Sequence, residues 1–126
     1  MLEQPGDNMT KDVLHTEHAE ALSILFSLPD FCMLYEKLLD LYGDELSMQA
    51  IFDCMAEKVE ETAAQGDLAT VKDYLVTVDF LLDSKFNLYE EIMYCFIENI
   101  SSVKQDYFID LLPPLLADAC REEGYI

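Results

Sequence analysis

His15 and His18 stand three residues apart with Glu17 between them. On a helix that spacing puts two imidazoles on one face, where a metal ion could be gripped. No HExxH or ExxH pattern supplies the remaining ligands. The expectation is therefore a surface histidine beside one that lies on an apolar stripe, with no metal. Asp79 with Asp83, and Glu57 with Glu61, fall at i, i+4 and could pose as carboxylate pairs. General acid–base chemistry needs their proton affinities driven apart by a shaped environment, and in a chain this acidic such spacings arise by chance. Cys32, Cys54, Cys95 and Cys120 form no CxxC unit and are expected as reduced, mostly buried thiols. A GxSxG elbow, a glycine-rich phosphate loop and a DxDxDG-like calcium run are all missing. The sequence thus predicts no enzyme and no cofactor.

Charge narrows the field further. The 126 residues carry 26 Asp and Glu against 7 Lys and Arg, a net charge of -19. A small soluble domain ordinarily carries about 2–8. Phosphate recognition requires clustered cations, so nucleic acid is excluded as a partner, and an anionic membrane surface is disfavoured for the same reason. Hydrophobic residues make up 52% of the chain, which argues for a packed core over disorder. No apolar run approaches the ~20 residues of a membrane-spanning helix. The opening Met-Leu-Glu-Gln-Pro-Gly-Asp lacks the basic and apolar regions of a secretory signal. A cytoplasmic chain is expected.

The elements that must position any functional residue are helices. Residues 1–9 are expected as a flexible leader and 10–126 as one helical domain. Thr10 caps a first predicted helix to about Ser27, with Leu14, His18, Ala21, Leu22, Leu25 and Phe26 at the 3–4 spacing of one face. Pro29 breaks it and Asp30 caps the next, about 30–42, which Gly43 stops. Ser47 starts a third helix that ends at Gly66, and Asp67 starts a fourth, about 67–84, apolar nearly all round and so expected at the centre. Asn87-Leu88-Tyr89-Glu90 and Ser102-x-x-Gln105 have capping-box spacing. They open a fifth helix to about Asn99 and a sixth to about Leu112. Pro113-Pro114 begin a last helix that Gly124 stops. Without period-2 alternation or hairpin turns, the fold class is all-α, a single compact bundle of six or seven antiparallel helices.

Two outer strips stand out. On the fifth helix, Leu88, Ile92, Cys95, Phe96 and Asn99 are expected inward, leaving Glu90, Glu91, Tyr94 and Glu98 as an acidic strip around an aromatic ring. On the third, Asp53, Glu57, Glu60 and Glu61 gather on the outer side. Each has a plain reading as solvated surface. The functional reading is partner binding, since tyrosine is enriched at interface hot spots and carboxylates steer basic partners into contact.

The stretch Gly66–Ile100, GDLATVKDYLVTVDFLLDSKFNLYEEIMYCFIENI, is similar in style to small helical immunity proteins of bacterial toxin systems. Tyrosine among carboxylates on a helix also resembles the toxin-binding surface of nuclease-colicin immunity proteins, whose fold is shorter. The resemblance implies a chain that neutralises a cognate protein toxin, or another basic protein domain, with Glu90, Glu91, Tyr94 and Glu98 in contact. Rival readings are a helical scaffold or adaptor that docks a peptide or helix, and a DNA mimic with carboxylates in two even rows.

Overall fold

Tyr74 shows how the helices are tied together. Its ring is buried in the middle of the fourth helix, and its hydroxyl donates 2.8 Å to the carbonyl of Pro29 in the turn between the first two. Burial, then the nearby Asp30 charge, pushes its phenol up to about 12. The computed structural model describes residues 18–126; the expected leader, the Thr10 cap, Leu14 and His15 lie outside them. The described chain is all-α, with no strand among those residues. Its order is α1 (helical over 18–25), α2 (Phe31–Tyr42), α3 (Met48–Ala64), α4 (Leu68–Leu81), α5, α6 (Asp106–Leu111) and α7 (Pro114–Glu122). Short 3-10 turns, Gly43–Glu45 and Ser84–Phe86, follow α2 and α4. The fifth helix opens α-helically at Tyr89–Glu91 and widens to a π-helix over Ile92–Ile97.

Several helix ends are as the sequence predicts. Ser47 accepts from the Ala50 amide and Asp67 from that of Thr70, each answering an otherwise orphaned donor. Gly66 and Gly124 have φ of 82° and 85°. Each lets the next amide reach back five residues, from Asp67 to the Thr62 carbonyl and from Tyr125 to that of Cys120, the Schellman closure that a side chain at the glycine would strain. Pro114 occupies the first turn of α7, where its missing N–H costs nothing.

Other ends differ. Asp30 has left-handed backbone (φ 63°) and makes no cap bond; its carboxylate instead pairs with Lys58 of α3 at 3.3 Å. Asn87 is also left-handed (φ 54°), which withdraws its side chain from the predicted capping box. Residues 101–104 form turns, so α6 begins at Asp106 rather than at Ser102. The reason lies in tertiary contact: Glu60 of α3 takes the Ser101 and Ser102 amides, so these donors turn toward α3 instead of starting a helix.

The centre of the molecule is α3, which packs against α2, α4 and α5, with Ile51, Phe52, Met55 and Ala56 fully buried. This corrects the expectation for α4. That helix buries Val71, Leu75, Val78 and Leu81 but leaves Val76 and Phe80 about half exposed. Phe86 of the following turn packs against Phe80, centroids 5.9 Å apart, without burying it, so apolar composition all round did not translate into burial all round. Phe52 meets Phe96 of α5 edge-on, centroids 6.3 Å apart, an arrangement favoured by the ring quadrupoles.

Phe96→Ala is expected to lower stability by about 3–5 kcal/mol, and Ser47→Ala or Asp67→Ala by about 1 kcal/mol each. Asn87→Gly, by contrast, should be close to neutral, because no cap bond is lost and glycine accepts the left-handed backbone. Urea unfolding followed by circular dichroism reads all four.

Candidate protein-binding surface

The π-turn decides what α5 shows to solvent. Its wider ladder is marked by the Glu98 amide bonding back five residues to Met93. Leu88, Ile92, Met93, Phe96, Ile97 and Ile100 are buried as a result. Cys95 is only half-buried and Asn99 is exposed, so Met93 and Ile97 replace them on the inner side expected from α-helical spacing. Glu90, Tyr94 and Glu98 are exposed together, while Glu91 is half-buried on the flank.

Tyr94 is 47% exposed, yet its hydroxyl is not idle. It donates 3.2 Å to Glu123, just beyond α7, and Tyr89 donates 2.7 Å to the other oxygen of the same carboxylate. Tyr125, turned back by Gly124, donates 3.1 Å to Glu98 and 3.3 Å to the Met93 carbonyl. The hydrogen bond to Glu123 comes first in holding the Tyr94 phenol above its usual value, followed by that carboxylate's charge and, further out, Glu90 and Glu98. The same bond, with burial, pushes Tyr89 up to about 12. Tyr125 also reaches about 12, there through burial first and the bond to Glu98 second. The candidate surface on α5 is thus a mesh of three phenols and two carboxylates, its rings held at fixed angles.

The α3 strip adjoins it. Asn99 donates 2.8 Å to Asp53, and the Cys95 thiol, raised by burial, is raised further by Asp53, Glu91 and Glu98 together. The Asn99–Asp53 bond brings the edges of the two strips together, and the Cys95 thiol between them feels carboxylates from both helices. Glu57 and Glu61 are exposed beside it; both, with burial dominant, raise the Cys54 thiol. Glu60 belongs to the scaffold instead. It is half-buried and accepts from Ser101 Oγ at 2.7 Å as well as from the two backbone amides. Of the eight residues expected in the surface, Glu60 is therefore structural and Asp53 partly so.

Tyr89, Glu123 and Tyr125 escaped the sequence reading. The usable signal was Gly124 itself, since a Schellman closure aims the residue after it back onto the helix. Of the two carboxylate pairs in the sequence, Asp79 with Asp83 resolves into structure. Asp79 accepts 2.8 Å from the Leu116 amide and so caps α7 from α4, and Asp83 accepts from the Lys85 amide. Among the described residues no group of three or more His, Cys, Asp or Glu is placed to hold a metal, and no helix is long and apolar enough to cross a membrane. The cysteines are free, as expected, but only Cys120 is fully buried and Cys32 is exposed, because α2 turns that position outward.

Because Tyr89 and Tyr125 have raised folded values, the folded chain keeps protons between pH ~10 and about 12 that the unfolded chain has released. Their contribution to stability is whole below pH ~10 and lost as pH climbs through that window. Phenolate absorbance should show these rings titrating late, and Glu123→Gln should bring Tyr89 and Tyr94 to ionise earlier. Comparison with protein-family models, curated proteins and solved structures finds no match to this chain.

Proposed function

We propose that this chain is an immunity protein: it binds a basic toxin domain of a bacterial toxin system and neutralises it by covering the toxin's active site or substrate groove. The observation that supports the reading is the pair of acidic strips on α3 and α5, which meet at the Asn99–Asp53 bond, with the half-exposed Tyr94 ring held by Glu123 on the second of them. Ion pairs among the described residues engage Asp30, Glu20 and Asp118; the Asp30–Lys58 pair borders Glu57 and Glu61, while none of the three pairs engages Glu90, Glu91, Glu98 or Asp53. These carboxylates are left to draw in a cationic partner by long-range attraction. Tyr94 serves as the anchor, a rigid ring that loses little entropy on contact because Glu123 already restrains it. Glu90 and Glu98 flank it and set the orientation of the partner. A cytoplasmic site of action fits a protein that meets a toxin inside the cell it protects.

Co-expression with the product of the neighbouring gene, followed by purification, tests the pairing. A tight complex is expected, with an association rate that falls at least tenfold between about 0.05 and about 0.5 M salt as screening sets in. Reversal of Glu90, Glu91 and Glu98 to lysine should slow association similarly, and Tyr94→Ala should weaken affinity by roughly 30-fold, the scale of a hot-spot residue. A complex whose rates ignore both salt and these replacements would refute the mechanism.

A further inference from the structure

Between α2 and α3 runs an open trough that borders the α3 acidic strip and reaches Asn99 at one end. Its two reaches, of about 290 and 610 Å³, share Lys37, Cys54 and Glu57. One wall is apolar. Met33 and Leu41 are each 69% exposed and Tyr42 48%, and Met33, Lys37 and Leu41 recur at i, i+4, i+8 along one stripe of α2. The other wall is mainly acidic: Asp53, Glu57 and Glu61 recur at the same spacing on α3, and Lys58 among them is paired with Asp30 at 3.3 Å. Ala50 and Cys54 lie on the floor beside Leu34 and Leu38. Eight residues of helix rise about 12 Å, so the trough accepts about two turns of a partner helix.

We infer that this trough docks an amphipathic helix of a basic protein partner, its apolar stripe against Met33, Leu41 and Tyr42 and its Lys or Arg residues against Asp53, Glu57 and Glu61. The inference rests on the reading that the partner is basic, and it names the element that the partner presents. Charge complementarity selects the occupant. A helix with apolar anchors at i, i+3, i+4 and i+7 matches the α2 stripe, while cations along its flank match the α3 wall. A second copy of this chain is disfavoured, because it would bring another acidic wall against the first in a molecule that already carries -19. Lys37 is the one side chain in the shared middle of the trough that opposes such a ligand, which makes it a diagnostic position.

The probe is a designed peptide of roughly 18 residues, long enough to hold a helix, with leucines on one stripe and lysines flanking it. A scrambled peptide of identical composition is the control, and affinity is read by fluorescence anisotropy. The patterned peptide should bind about tenfold more tightly than the scramble, and Met33→Ser and Leu41→Ser should each weaken it about fivefold or more. Both positions are exposed, so the fold should survive, as circular dichroism will verify. Lys37→Gln should tighten binding about twofold to threefold, whereas Lys85→Gln, the same change of charge outside the trough, should leave it unchanged. Equal affinity for patterned and scrambled peptides would overturn the trough while leaving the acidic-face reading intact. Patterned binding that responds to Tyr94→Ala but ignores Met33, Lys37 and Leu41 would likewise overturn it and relocate the helix to α5. Absence of binding by either peptide would overturn the trough and count against a basic partner as well. Self-association of the chain that Leu41→Ser abolishes would show a second copy in the trough and refute the inference.

Discussion

The apolar seam between α3 and α5 governs everything else in this molecule. Phe52 against Phe96, backed by Met55, Ile92 and Met93, is buried to completion. Each such aromatic contributes about 1.5–3 kcal/mol by leaving water. On the outer rim of the same seam stand carboxylates from both helices, and two exposed charges about 8 Å apart repel by only roughly 0.5 kcal/mol in water. The hydrophobic contact therefore wins by a wide margin. It can hold like charges side by side that would otherwise separate, and the acidic face is a by-product of what is buried beneath it.

The carboxylates divide by what they touch. Asp67, Asp79, Asp83 and Glu60 accept backbone amides at the starts of helices and turns; these fix the fold, and two of them do so across long stretches of sequence. Glu90, Glu91, Glu98 and Glu57 carry no such duty to the backbone among the bonds described, and they share the surface with Tyr94. Glu123 stands between the two groups. It orients two rings and also adds charge to the face, so it joins the C-terminal turn to the candidate interface.

Legibility followed the range of the interaction. Helix class, the Ser47 and Asp67 caps, the glycine stops and the proline at the head of α7 depend on neighbours within a few residues, and the sequence shows them directly. The failures at Asp30, Asn87 and Ser102 share a cause: each has the right side chain for a cap, but a distant group or a left-handed backbone claims the position first. The α5 strip was legible in its members and slightly wrong in its inner side, because periodicity assumes 3.6 residues per turn and this helix departs from it. The joining of the two acidic strips, and the return of Tyr125 to Glu98, depend on packing between segments far apart in the chain, which no local pattern records.

The wide turn in α5 makes residue count itself a structural variable. In an ordinary helix each residue advances the side chains by a fixed angle, so loss of a single position between Ile92 and Ile97 would let the segment relax to common geometry at little local expense. The penalty would fall downstream. Glu98 and Asn99 would swing to a new bearing, Asn99 would leave Asp53, and Tyr125 would find neither of its acceptors where it now meets them. Chains descended from a common ancestor with this one should accordingly tolerate exchanges of residue type along the outside of α5 far better than they tolerate a change in its length.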